Sequence, residues 1–312
     1  MTHRITLLLT AALVTLATAC TQQTETPRGT TPIGFVTRAQ TRAAVTGTAD
    51  MRDFRVWGGY GGELNLLNAE TVRPDGSYVN TAYWVDQQTH YFFALHPATL
   101  DAATCDATGT RTLAGFNATD RRGDEAIDLM TAEQTGLFFA KGTAPAPVSL
   151  TFTHRLCRVR LSIATEQAAT VTAVGMADVL NEGDFSYRYN EGTARWDATW
   201  SNLSATPFGQ ETALDLAPED AEPATLMGGD LLMIPQTLAG EAVLAITWQY
   251  AGDPTEHTAF CPIAAATPAG QWAEGKSYNY RFLVPANESE ADVTLKVTVG
   301  EWNTPQNVEV IL

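Results

Sequence analysis

Val148-Ser149-Leu150-Thr151-Phe152-Thr153-His154 runs through Arg155-Leu156 into Cys157-Arg158-Val159-Arg160-Leu161-Ser162-Ile163. In the first run the apolar residues fall on even numbers, at 148, 150 and 152; in the second they fall on odd numbers, at 157, 159, 161 and 163. Alternation with a period of two sends successive side chains to opposite faces of a strand, so two half-buried β-strands are specified. The change of parity places a bulge or a face switch near Leu156.

The same pattern extends in both directions. Upstream, Tyr78-Val79, Tyr83-Trp84-Val85 and Tyr91-Phe92-Phe93-Ala94-Leu95 are short runs of strand-forming residues. Phe54 and Val56 lead through Trp57-Gly58-Gly59-Tyr60 into Gly61-Gly62, a strand running into a glycine-rich turn, and Pro74-Asp75-Gly76 is a second turn. No Lys-Ser/Thr pair follows the glycines, so a phosphate loop is not indicated. Residues 98–128 are polar and read as a long excursion or a set of short hairpins. Downstream, residues 171–176, 185–189, 231–234, 243–250, 278–284 and 293–299 repeat the strand style, and no segment keeps a 3.6-residue period long enough for a major helix. The expected fold is all-β, with two β-sandwich domains in tandem. Pro145-Ala146-Pro147 punctuates the chain and sets the expected boundary, with domains over 32–147 and 148–312.

The 312 residues include 19 Lys plus Arg and 35 Asp plus Glu, for a formal charge of −16. A polyanion would be repelled by the average surface, which argues against a nucleic-acid partner. Only 17% of residues are charged against 45% hydrophobic, a balance that suits a packed core rather than an acidic disordered tail.

Arg4 precedes an apolar run from Ile5 to Ala19, shorter than the roughly 20 residues of a spanning helix. Residues 1–19 read as a secretory signal peptide. The run closes Leu16-Ala17-Thr18-Ala19-Cys20, which resembles a bacterial lipobox with Ala17 where Leu is usual, so Cys20 is the expected lipidation site, carrying acyl chains such as palmitate. Several acyl chains hold a protein firmly at a bilayer, because each buried methylene contributes about 0.8 kcal/mol. Residues 20–31 are rich in Thr, Gln, Pro and Gly and read as a flexible tether. With Cys20 spent, Cys105, Cys157 and Cys261 remain, an odd number without regular spacing, read as small buried apolar residues.

Catalytic signatures are missing: the sequence holds no HExxH, GxSxG, Walker loop or paired CxxC. His90 and His96 share a strand face, and with no third ligand nearby they read as structural; His154 reads as a packed residue beside Phe152. Glu219-Asp220-Ala221-Glu222 lacks EF-hand spacing and reads as a solvated loop. Arg122-Gly123-Asp124 spells an integrin-type tripeptide that chance readily supplies. Neither a metal, a cofactor nor an enzymatic activity is expected.

A set of motifs in fixed order resembles the fimbrillin family, the type V pilins and related surface lipoproteins of anaerobic Gram-negative bacteria. They are Tyr83-Trp84, Tyr91-Phe92-Phe93-Ala94 and Pro97, Asp128-Leu129-Met130, the stretch Leu150 to Val159, Ile234-Pro235-Gln236, Trp272, Gly275-Lys276-Ser277-Tyr278-Asn279-Tyr280, Val297-Thr298-Val299 and Trp302. The resemblance implies two transthyretin-like β-sandwich domains, a lipid anchor in the outer membrane, and assembly into fimbriae with other fimbrillin subunits. It further implies strand exchange after an arginine-specific protease removes the N-terminal strand. On this sequence the removable strand would be 33–37, with Ile33 and Phe35 among its residues, and the cut would follow Arg38 or Arg42. Val308, Val310 and Leu312 alternate and would form the donor strand. The competing reading is a non-polymerising surface lipoprotein that binds a host receptor or glycan, with Trp57, Tyr60, Tyr83 and Trp84 as a stacking platform.

Overall fold

The computed structural model describes residues 28–39, 51–120, 122, 125–143, 145–218, 222–286, 294–302 and 310–311. The protein is all-β. In chain order the strands are β1 (Arg28–Pro32), β2 (Phe35–Ala39), β3 (Phe54–Tyr60), β4 (Glu63–Val72), β5 (Tyr83–Val85), β6 (Thr89–His96), β7 (Thr104–Cys105), β8 (Arg111–Asn117), β9 (Met130–Phe138) and β10 (Val148–His154). They continue with β11 (Cys157–Thr165), β12 (Ala169–Ala177), β13 (Glu182–Asn190), β14 (Arg195–Ser204), β15 (Phe208–Leu216), β16 (Ala224–Thr225), β17 (Leu231–Met233), β18 (Gln236–Thr237) and β19 (Val243–Tyr250). After β20 (His257–Pro262) comes the sole α-helix among the described residues, α1 (Ile263–Ala266), and then β21 (Gln271–Trp272), β22 (Lys276–Val284), β23 (Thr294–Glu301) and β24 (Val310–Ile311).

Four larger sheets organise these strands. The first runs β2-β10-β9-β6-β3-β4 and the second β14-β13-β8-β7. A third runs β16-β11-β22-β23-β24, with β17 also on β11, and a fourth runs β15-β12-β19-β20. Two small ribbons pair β1 with β5 and β18 with β21. The hairpin from β3 to β4 turns on Gly61 and Gly62, both at positive φ (66° and 84°), the conformation that the strand twist asks of a two-residue turn and that glycine adopts without penalty.

Two apolar clusters fill the interior. One lies on a single face of the first sheet and joins Phe54, Val56, Phe92, Ala94, Leu150 and Phe152 to Trp84, Ile33 and Phe35. The larger cluster takes Trp57, Leu95 and Leu129 together with Val159, Leu161, Ile163, Val171, Ile246 and Phe282 from the third and fourth sheets. The second sheet packs on the first through Arg111, whose side chain is fully buried. Its Nη1 donates to the carbonyl of Ala132 at 2.8 Å, and its guanidinium lies 4.7 Å from the Tyr187 ring, 4.8 Å from Trp196 and 5.3 Å from Phe93. Burial holds the Arg111 guanidinium below its ordinary pKa, with Glu133 at 3.3 Å opposing that shift.

The parity change near Leu156 is larger than a bulge. β10 closes the first sheet beside β9, and two residues later β11 opens the third sheet beside β22, so the chain passes from one sheet to another at Arg155-Leu156. The sheet change thus begins eight residues after the Pro145-Ala146-Pro147 punctuation, and residues 148–154 pair with the strands that precede them. The composition of 28–31 also misleads: those residues are not tether but the start of β1, antiparallel to β5 through pairs Arg28 with Val85 and Pro32 with Tyr83.

Candidate functional site

The N-terminal segment occupies the edge of the first sheet. β2 pairs with β10 in parallel over five rungs, from Phe35 opposite Val148 to Ala39 opposite Phe152. A parallel partner this early in the chain has no hairpin to fix it, so its hold comes from side chains and from backbone contacts at its start. Alternation divides those side chains: Ile33, Phe35 and Thr37 are buried, whereas Val36 is 45% exposed and Arg38 is exposed. The Phe35 ring meets Tyr78 and Phe92 edge-on, with centroids 5.6 and 5.7 Å away. Burying two large apolar side chains contributes on the order of 1.5–3 kcal/mol each.

A clamp closes over this segment. The Ile33 N–H donates to Ala82 O at 2.9 Å, and the Tyr78 hydroxyl donates to Ile33 O at 2.7 Å while accepting the Ala82 N–H at 3.2 Å. Burial pushes the Tyr78 hydroxyl pKa up, which keeps that donor protonated. Val148 N donates to Gly34 O at 2.8 Å, and Thr37 Oγ1 to Pro74 O at 3.3 Å. Gly76, at φ 84°, passes so near the strand that a Cβ there would lie 2.2 Å from Phe35 O. The turn Pro74-Asp75-Gly76 was legible in the sequence as a turn; its contact with β2, about 40 residues away, was not, because nothing local encodes it. Tyr78 likewise read only as a strand residue.

At the other terminus, β24 pairs antiparallel with β23, Val310 opposite Val297 and Ile311 opposite Lys296, at the edge of the third sheet. In the monomer this end therefore completes its own sheet. Cys20, Arg42, Val308 and Leu312 lie outside the described residues, as do Arg121, Gly123, Asp124 and Glu219 to Ala221.

The remaining sequence-marked residues separate into core and surface. Trp57 and Trp84 are 2% exposed, so the stacking platform does not form: both rings are core, and only Tyr83, at 39%, reaches solvent substantially. His90 and His96 are buried on the same face of β6, and burial lowers the pKa of each. His154 stacks on Trp302 at 4.2 Å and hydrogen-bonds Asp128 at 2.9 Å. Cys157 and Cys261 are buried and Cys105 is half-buried, with burial pushing Cys105 up to about 12. Arg122 lies against the Phe208 ring at 5.5 Å. Among the described residues no three metal-ligating side chains converge.

The arrangement defines a class: an all-β protein whose N-terminal strand plugs an apolar groove at a sheet edge. The chain belongs to the fimbrillin-like family, whose model matches residues 37–302, a span that starts within β2 and stops before β24. Similar solved structures share the fold. A fimbrial protein of Bacteroides vulgatus ATCC 8482 superposes with a TM-score of 0.58 at 15% identity, covering 87% of this chain and 99% of the other. Candidate cell adhesion proteins of Bacteroides uniformis ATCC 8492 and Bacteroides ovatus ATCC 8483 give 0.56 at 18% identity and 0.54 at 16%, covering 88% and 89% of this chain and 98% and 100% of theirs. No curated protein matches the chain.

Proposed function

We propose that the chain is a fimbrial subunit, or a subunit-like surface lipoprotein, that supports adhesion and assembles with other fimbrillin subunits by protease-triggered strand exchange. Membership in the family supports a structural role at the cell surface, and the fold shared with a fimbrial protein and candidate adhesion proteins agrees with it. On this reading Cys20 carries the acyl chains that hold the precursor at the outer membrane. The chain comprises two tandem transthyretin-like sandwiches, which meet at the Arg155-Leu156 crossing.

The observation that carries the strand-exchange reading is the place of β2: a short edge strand, held by one neighbour, with its Phe35 and the preceding Ile33 over the core. Its loss would leave the backbone donors and acceptors of β10 unpaired along an apolar groove, a template for another strand. Cleavage after Arg38 would release Ile33 and Phe35 with the leaving segment. That bond sits beside the last rung of β2, so the strand end opens before a protease reaches it; Arg42 is the alternative cut. The alternating Val308, Val310 and Leu312 of a second subunit would then enter the groove, after the described rungs of β24 with Val297 and Lys296 part. A head-to-tail contact of this type does not close on itself, so it propagates as a filament.

The N-terminus and intact mass of protein from its native envelope, before and after an arginine-specific protease, test the reading. A start at Ala39 or Ala43 in detergent-resistant polymers is expected. An acylated Cys20 persisting in a monomer after treatment would sink it.

A further inference from the structure

The outer face of the fourth sheet carries a feature that strand exchange does not use. Ala245 of β19 has Gly175 of β12 as its cross-strand partner on one side and Phe260 of β20 on the other, and Gly175 in turn faces Gly209 of β15. One row across the sheet therefore reads Gly209, Gly175, Ala245, Phe260. Three positions have little or no side chain, and the fourth is a phenyl ring 70% exposed to solvent. Gly175, Ala177, Val243 and Ala245 floor a shallow groove between Phe260 on one edge strand and Pro207-Phe208 on the other, and no charged residue lines it.

We propose that this face is a self-association surface, in which a second copy sets its Phe260 over the Gly175 floor of the first and receives the first copy's Phe260 in return. The register supplies the argument. Gly175 and Phe260 stand one strand to either side of Ala245, so a two-fold axis over Ala245, parallel to the strands, exchanges ring and floor between copies. A patch that carries both halves of a complementary contact in this relation is isologous. Two copies that each bear a formal charge of −16 repel over most approaches, and the uncharged lining of the groove lowers that cost where ring and floor meet, with Glu211 and Asp215 standing further along β15 on the same face. The chain's own segments outside the described residues offer no competing occupant. Apart from the leader, which the sequence assigns to export, they hold no apolar run longer than Ala43-Ala44-Val45.

Four strands about 4.8 Å apart and some six residues long cover about 400 Å² per copy, half the roughly 800 Å² per partner of a standard interface. The contact is therefore weak as a single pair and effective where copies are concentrated, on a membrane or along a fibre. It is independent of strand exchange and is tested on the full, uncleaved chain.

Sedimentation over a wide concentration range is expected to show reversible dimerisation. Phe260→Ala removes the ring; Gly175→Val fills the floor, and its Cβ would sit 3.4 Å from Phe208 O, an ordinary contact that the strand tolerates. Each variant should weaken dimerisation about tenfold or more while melting as a folded monomer. An equimolar mixture of the two should associate better than either alone, because the intact ring of one meets the intact floor of the other. A wild-type monomer at every concentration, variants that dimerise like wild type, or a mixture with no recovery would each overturn the proposal. So would a monomer that binds phospholipid vesicles through Phe260, which would assign the face to lipid.

Discussion

At residue scale, His90 and His96 are held in one tautomer by their neighbours. In each, Nε2 accepts a backbone N–H at 3.2 Å, from Val85 and Arg52, while Nδ1 faces a carbonyl oxygen, Leu137 O at 3.3 Å and Asp128 O at 2.8 Å. Burial disfavours the charged ring, and a proton on Nε2 would also set one donor against another. The folded pKa lies below the ordinary histidine value, so as pH falls through that value the unfolded chain takes up protons that the folded chain refuses. Stability is then fully present above the ordinary range and is lost on acidification. Melting curves should show a Tm that is flat at alkaline pH and falls below about pH 6.5, and His96→Gln should lower Tm at neutral pH but flatten the acid slope. An acid slope unchanged in the variant would remove His96 from this account. Gly76 is the second decisive residue. Gly76→Ala places a methyl against Phe35 O in a conformation that costs an L-residue about 1–2 kcal/mol before any clash. Chemical denaturation should therefore show a loss of about 2 kcal/mol or more, together with faster proteolysis of the N-terminal segment. The structural reading of the histidines was legible, because two residues six apart on a strand share a face. The clamp through Gly76 was not, because a turn signal does not say what lies beside it.

At the scale of the element, β2 is short and owes its place to what it buries. Phe35→Ala removes the ring that meets Tyr78 and Phe92, and a large-to-small change in such a core costs about 3–5 kcal/mol. The loss should appear chiefly as local opening: amide exchange across β2 and β10 should quicken, and cutting at Arg38 should accelerate, with β22 and β23 unaffected. Equal loss of protection in all four sheets would mean that β2 is no separable element. Strands with one wet face were plain in the sequence, and β10, β11, β12, β19 and β22 follow the alternation that announced them. β14 and β15 escaped notice, since Arg195-Trp196-Asp197 and the half-exposed residues after Phe208 mix polar and apolar side chains on both faces. β1 escaped for a different reason. Arg28-Gly29-Thr30-Thr31 is held through backbone pairing with β5, which composition does not report. Partner choice is likewise invisible locally: β2 with β10 and β11 with β22 are parallel pairs more than a hundred residues apart.

At the scale of the whole molecule, the crossing between sheets decides how the parts cohere. Prolines mark where a chain leaves a strand, but the change of sheet follows the change of apolar parity, which is why the crossing lies at Arg155-Leu156. Arg155 is buried there and reaches three parts of the fold. Its Nε donates to Thr131 Oγ1 of β9 at 2.7 Å, its Nη2 to the Tyr187 hydroxyl of β13 at 2.7 Å, and its Nη1 to Glu274, just before β22, at 2.5 Å. The guanidinium also lies 4.0 Å from the Tyr187 ring, whose hydroxyl burial pushes up to about 12, so the ring stays neutral beneath the cation at any physiological pH. One side chain thus links the first, second and third sheets. Arg155→Met keeps the aliphatic stem but strips all three hydrogen bonds and leaves Glu274 without its cation, a change that costs about 3 kcal/mol at a partly buried pair. The matched control is Arg158→Met, because Arg158 bonds Ser277 of β22 and pairs with Asp230 at 3.7 Å beside β17, all within one sheet. In calorimetry the wild type and the control should unfold in one transition, with the control shifted only slightly. Arg155→Met should separate the melting of the first two sheets from that of the last two. A single transition at the wild-type temperature would show instead that the apolar contacts across the crossing suffice to couple the two halves.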